Sequence, residues 1–142
     1  MATEDQTTFM GAEWGCYEIE ITGADGTAIG TGAQNTLDIL AWCSEDGIAA
    51  KLSADYKVTE NGVTYDDWFL PSKDELNKLY LNRDAVGGFE QHSGTAAVDG
   101  YYWSSSEYDG VYGDAWTQNF YDGFQDYNYE SGLYWVRSFR AF

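Results

Sequence analysis

Basic residues are scarce in this chain: 142 residues carry seven Lys and Arg against 24 Asp and Glu, a formal charge of -17. That imbalance excludes sequence-independent nucleic-acid binding, where phosphate contacts need Lys and Arg, and it disfavours an anionic membrane surface for the same reason. No apolar run reaches the roughly 18 residues needed to span a bilayer, and Met1 to Gly11 shows neither a basic n-region nor an apolar h-region. Direct membrane insertion is therefore not expected. One histidine, His92, and two cysteines without a Cys-x-x-Cys pair cannot make an ordinary zinc site. His92 stands in a Gly-rich connection and reads as a solvated side chain. A single proline, Pro71, rules out a Pro-rich linker, and the glycines between Gly23 and Gly32 lack the Gly-Lys-Ser/Thr of a phosphate cradle.

Aromatic residues are what the chain has in excess. Residues 101–142 hold 15 of the 25 aromatics (8 Tyr, 3 Trp, 4 Phe) beside six carboxylates and two cations, Arg137 and Arg140. Buried Tyr hydroxyls need partners, and Asp, Gly, Ser and Asn favour turns, so this mixture is unusual for a core. It is the composition of a paratope, in which Tyr and Trp give stiff contact area and the small polar residues give adaptable hydrogen bonds. With 44% hydrophobic residues the chain is expected to fold as one domain, 1–142, with a framework half (1–100) and a ligand-binding half (101–142).

Local patterns predict an α+β fold. Tyr17, Ile19 and Ile21 alternate with Glu18 and Glu20, which predicts a half-buried strand over Cys16–Ile21. Asn35 or Thr36 is expected to cap a first helix whose apolar positions are Leu37, Ile39, Leu40 and Trp42, with Gly47 as its stop and a further helical segment over 48–54. Pro71, Ser72 and Glu75 have the spacing of a capping box, and Leu76, Leu79 and Tyr80 predict the buried face of a helix reaching about Arg83. Short strands are expected over 101–105, 115–120 and 134–139, with Asp109-Gly110 and Asp122-Gly123 as turns. Cys16 and Cys43 either close a disulfide, contributing roughly 3 kcal/mol and pointing to an extracytoplasmic setting, or remain as two buried thiols; the disulfide is the favoured expectation.

Several ordered blocks carry a family resemblance. Asp67-Trp68-Phe69-Leu70-Pro71-Ser72-Lys73-Asp74-Glu75-Leu76, Tyr102-Trp103-Ser104-Ser105-Ser106-Glu107, Ala115-Trp116 with Gln118-Asn119-Phe120, and Val136-Arg137 with Arg140-Ala141-Phe142 resemble the DUF1566 family, the C-terminal domain of collagen-like surface proteins. Trp14-Gly15-Cys16 and Gly30-Thr31-Gly32 are similar to its first half. The resemblance implies a C-type-lectin-like fold: two helices packed on short antiparallel sheets with long irregular loops. It also implies kinship with the variable proteins of diversity-generating retroelements, in which adenine-directed mutagenesis rewrites C-terminal codons while a framework stays constant. Relatives usually carry a further strand ahead of the position of Ala2. The family pattern often has Asn where this chain has Asp109–Asp114, Tyr121-Asp122, Phe124 and Asp126–Leu133. The replacements Tyr, Asp, Gly, Val, Phe, Ser and Leu are all reachable from an Asn codon by changing its adenines.

The binding positions expected on this basis are Tyr108, Asp109, Val111, Tyr112, Asp114, Thr117, Tyr121, Asp122, Phe124, Asp126, Tyr127, Asn128, Tyr129, Leu133, Tyr134 and Trp135. Trp103, Trp116, Phe120, Phe139 and Phe142 are expected to be core, and Arg137 and Arg140 to pair with buried acids such as Glu107. No enzyme activity, cofactor or metal is expected. The sugar-binding motifs Glu-Pro-Asn and Trp-Asn-Asp are both missing, Ser104-Ser105-Ser106 lacks a nucleophile elbow, and Glu107 with Asp122 or Asp126 matches no glycosidase motif. The reading is a binding protein at a cell surface or on a phage particle, with a protein as its partner. A polysaccharide or glycosaminoglycan adhesin is the alternative, weakened by the charge, and a structural surface module is the third.

Overall fold

Glu75 joins the starts of two helices that are far apart in sequence. In the computed structural model, which describes residues 2, 4–7, 11–89, 100–109 and 113–141, helix α3 (Lys73–Leu81) starts at the expected capping box. Ser72 N donates to Glu75 Oε2 at 2.7 Å and Glu75 N donates to Ser72 Oγ. The other carboxylate oxygen of Glu75 accepts from Gly30 N at 2.8 Å, at the start of helix α1 (Gly32–Trp42). A Cβ on Gly32 would lie 2.2 Å from Glu75 Oε2, so only glycine allows this approach.

This junction moves the start of α1. Asn35 and Thr36 are not caps but lie inside the helix, buried, because Thr31 precedes the first turn instead. Their side chains still find partners: Asn35 Nδ2 donates to Gly26 O and Ser105 Oγ, while Thr36 Oγ1 donates to Gly32 O and accepts from Leu70 N. The buried stripe is thus Gly32, Asn35, Thr36 and Ile39, and the expected core residues Leu37 and Trp42 face outward. The helix stops at Trp42 rather than near Gly47, since Cys43 is extended and bonded to Cys16, with the two Cα atoms 5.7 Å apart. Helix α2 (Ala49–Asp55) follows as expected.

The expected strand over Cys16–Ile21 does not form. Cys16 and Glu18 both have positive φ (55° and 62°), so the chain turns where alternation needs extension. Tyr17 and Ile19 are exposed and only Ile21 is buried. Strands β1 (Val58–Glu60) and β2 (Val63–Tyr65) form a hairpin around Asn61-Gly62, whose two positive φ angles suit a two-residue turn. Helix α4 (Arg83–Val86) is one short turn after α3.

The principal sheet is antiparallel, in the order β3 (Tyr101–Glu107), β4 (Asp114–Asn119), β5 (Gln125–Tyr129). With the β1–β2 hairpin it makes the protein a mixed α+β fold with two small antiparallel sheets. The ladder shifts register between Trp103 and Glu107, and the buried serines there are structural. Ser105 N donates to Pro71 O, Ser106 Oγ to Gly26 O, and Ser104 Oγ to Trp116 O. One face of the sheet covers a core of Trp14, Ile21, Ile39, Leu70, Trp103 and Val136; the other covers Leu76, Leu79, Tyr102 and Phe120 beneath α3.

Residues 134–139 form no continuous strand. Single bridges join Tyr134 to Ala12, Trp135 to Tyr102 and Phe139 to Phe69, because each successive residue meets a different segment. Arg137, fully buried, does not pair with Glu107. Its Nε donates to Asp5 Oδ1 at 2.7 Å, and its other nitrogens donate to Ala2 O, Gly87 O and Gly88 O. Arg140 pairs with Asp67, which is exposed. Among the described residues no helix is long and apolar enough to cross a membrane. His92, Val111, Tyr112 and Phe142 lie outside the described residues.

Candidate ligand-binding surface

The β4–β5 hairpin and the loop after it carry most of the expected binding positions. Pairing sets their directions: Asp114 lies opposite Tyr129, Trp116 opposite Tyr127, and Gln118 opposite Gln125, so these six share one face. Ala115, Thr117, Asp126 and Asn128 share the other. The expected set is therefore divided between both faces of an edge strand and the loops at its two ends.

On the first face an aromatic cluster forms. The rings of Tyr108 and Tyr127 stack with centroids 4.0 Å apart and planes 5° from parallel. Trp116 meets both edge-on, at 5.3 and 5.7 Å. Lys73, at the start of α3, places its Nζ 3.9 Å from the centroid of the Trp116 ring. Burial, with Tyr127 next to it, raises the Tyr108 hydroxyl above the usual tyrosine range. Trp116, expected in the core, is only half-buried and belongs to this surface, where α3 meets it with the Lys73 side chain and touches the start of β5 through Gln125 Nε2, which donates to Lys73 O at 3.4 Å. Tyr17 is also exposed near Tyr129, and the charge of Glu18 raises its hydroxyl.

At the hairpin tip, Tyr121 and Phe124 are exposed while the backbone beneath them is held. Tyr121 N donates to Asn119 Oδ1 and Phe124 N to Asp122 Oδ1. Gly123 has φ 84°, and a Cβ there would lie 2.5 Å from the Tyr80 ring. Gln118 Nε2 closes the tip by donating to Gly123 O and to Asn77 Oδ1 of α3.

Not every expected position is accessible. Thr117 is buried, accepts from Asn128 Nδ2 at 2.7 Å and donates to Asp126 O, so it holds β5 to β4. Asp114 is buried as well, and its carboxyl is raised by burial, with Asp126 adding to the effect. Tyr134 and Trp135 are half-buried: Tyr134 packs edge-on against Trp103 at 4.8 Å, and Trp135 lies against Tyr102. Asp109, Tyr121, Asp122, Phe124, Tyr127, Tyr129 and Leu133 are exposed, while Tyr108, Asp126 and Asn128 are half-buried.

Beneath the surface lies an acid pair that no pattern in the sequence marks. Glu130 is buried, neither carboxylate oxygen has a hydrogen-bond partner among the described residues, and burial pushes its pKa to about 9, with Glu107 and Asp114 adding repulsion. Glu107 is pushed to about 7 by burial, against the opposing hydrogen bond from Ile21 N at 2.8 Å. Near neutral pH Glu130 is therefore protonated, while Glu107 is about half so. Among the described residues, no group of three or more His, Cys, Asp or Glu is arranged to hold a metal ion. No protein-family model matches the chain, and a comparison with curated proteins gives no match either.

Proposed function

We propose that this chain is a ligand-binding protein of C-type-lectin-like fold, of the kind that diversity-generating retroelements vary, and that it holds a protein partner through the exposed residues of its β4–β5 hairpin. It works by binding and not by catalysis, at a cell surface or on a phage particle. The disulfide between Cys16 and Cys43 is consistent with an extracytoplasmic setting.

One observation carries this reading: most framework positions are buried and most variable positions exposed, with Asp114, Thr117 and the half-buried Trp116 as exceptions. The framework residues Trp103, Ala115, Gln118, Phe120, Val136 and Arg137 are all buried, whereas Tyr121, Phe124, Tyr127, Tyr129 and Leu133, all reachable from an Asn codon, are exposed. An edge strand alternates whenever one face is packed, and here the outward positions are large aromatic residues that a solvated face does not require. The alternation supports a surface whose residues can change without loss of the fold, over a core that cannot. Thr117 and Asp114 are withdrawn from the proposed contact set because they are buried.

Sequencing sibling copies of this segment from one source population tests the reading. Substitutions should concentrate at Tyr121, Asp122, Phe124, Tyr127, Tyr129 and Leu133 and fall at adenines of a common template. Substitutions spread evenly through Trp103, Phe120 and Val136 as well would rule it out.

A further inference from the structure

The chain uses its few cations on its many rings. Arg83 lies 4.0 Å over Tyr80, Arg137 4.0 Å over Phe89, Arg140 4.3 Å over Tyr65, and Lys73 3.9 Å over Trp116. All three arginines of the chain are committed in this way, with one of its four lysines. Ring faces attract cations through their quadrupole, and the attraction grows where carboxylates add a negative field.

The exposed hairpin has both ingredients and too few cations to match them. Tyr127 and Tyr129 stand exposed on the same face of β5, next to the Trp116 ring that already holds an ammonium. Asp109 is exposed beside Tyr108, and Asp126 is half-buried at the next position on β5. The whole molecule carries a formal charge of -17. Lys73 shows on a small scale what this surface accepts: a long aliphatic stem ending in a charge over an indole face, flanked by stacked tyrosines.

We infer that the partner bound by this hairpin presents a cationic segment, with Arg or Lys side chains lying on the Tyr127 and Tyr129 ring faces and their charges answered by Asp109 beside Tyr108. This inference rests on the ligand-binding reading above and names the chemistry of the partner. Charge complementarity favours a basic protein segment over a sulfated glycan, which the same field repels. Lys73 occupies the Trp116 face in the free protein, and an incoming guanidinium competes with it there.

The test is peptide binding by the whole chain, measured at two salt concentrations with three ten-residue probes: one Arg-rich, one Glu-rich, one Ser/Gly-rich. The Arg-rich peptide is expected to bind alone. Replacing both rings (Tyr127→Ala with Tyr129→Ala), which leaves the net charge unchanged, should weaken it about tenfold, since each exposed ring contributes modestly. Lys73→Gln should tighten it by roughly threefold by freeing the Trp116 face. Asp109→Asn should weaken it more than Glu60→Gln, which removes the same charge from the separate β1–β2 hairpin. Equal loss in Asp109→Asn and Glu60→Gln, with no effect of the double ring variant, would reduce the binding to general charge and overturn the inference. Tighter binding of the Glu-rich or neutral peptide, lost in the ring variant, would overturn the cationic class and leave the binding surface standing. Absence of binding by every probe would count against both.

Discussion

Strands β3 and β5 flank the same central strand and carry similar aromatic residues, yet they live in different surroundings. Tyr102 and Trp103 of β3 are fully buried, whereas Tyr127 and Tyr129 of β5 are 43% and 66% exposed. The difference is positional. The core of Trp14 and Val136 covers one face of β3 and α3 approaches the other, while β5 is an edge strand that touches α3 at its start, where Gln125 Nε2 donates to Lys73 O. Aromatic content alone therefore says nothing about whether a strand serves the core or a partner; its place in the sheet decides.

The comparison breaks most visibly at Trp103. Trp103→Ala removes a buried indole that also donates to Ala12 O at 2.7 Å, and should cost about 3–5 kcal/mol in urea unfolding. Next in size is the disulfide, which ties the loop before α1 to the residue that follows its end across a sequence separation of 27. The variant Cys16→Ala with Cys43→Ala should lose about 3–4 kcal/mol by the chain-entropy argument, read in the same titration.

A third effect comes from the acids under the hairpin. Glu130 and Glu107 have folded pKa values of about 9 and about 7, above the ordinary 4.5. The folded state therefore holds protons that the unfolded state releases as pH rises. Stability is fully present below about pH 4.5 and is lost between there and pH 9. The melting temperature should fall by about 5 °C or more from pH 5 to pH 9, and Glu130→Gln should flatten the slope. Asp67, held low by Arg140, acts in the opposite sense only in the acid range below that window. The smallest effects belong to β5 and its tip: Tyr129→Ser and Phe124→Ser should each change stability by no more than about 0.5 kcal/mol.

Much of the framework was legible because its signals are local. Ser72 and Glu75 stand three apart after Pro71, and they form the capping box that this spacing predicts. The strands expected over 101–105 and 115–120 became β3, slightly longer than predicted, and β4, of the predicted length but starting one residue earlier. Strand β5 was hidden because Gln125, Asp126 and Asn128 are poor strand formers, and its hydrogen-bonding neighbour supplies what its sequence lacks. The β1–β2 hairpin did carry a signal, Asn61-Gly62, between Thr- and Val-containing runs. The strand expected over Cys16–Ile21 failed because left-handed residues at 16 and 18 interrupt an alternation that is otherwise convincing.

The proposed binding surface was legible as a composition and not as a geometry. Tyr, Asp and Asn between turns marked the region, but periodicity could not show that Thr117 and Asp114 turn inward or that Trp116 turns out to meet Lys73. Those directions follow from the register of β4 with β5, a long-range property. Glu107 was expected to be buried and is, but Glu130 and its closeness to Glu107 were invisible for the same reason: the two lie 23 positions apart in sequence and come together only when the β4–β5 hairpin folds back.

The central claim is that this hairpin combines a fixed, buried set with a replaceable, exposed one. Random substitution of every position from 101 to 141, followed by selection for protease resistance and sequencing, tests it most directly. The account predicts that Tyr121, Asp122, Phe124, Tyr127, Tyr129 and Leu133 accept most residue types, while Trp103, Ala115, Gln118, Phe120, Val136 and Arg137 accept few. Equal tolerance in the two sets, or intolerance concentrated at the exposed tyrosines, would contradict it.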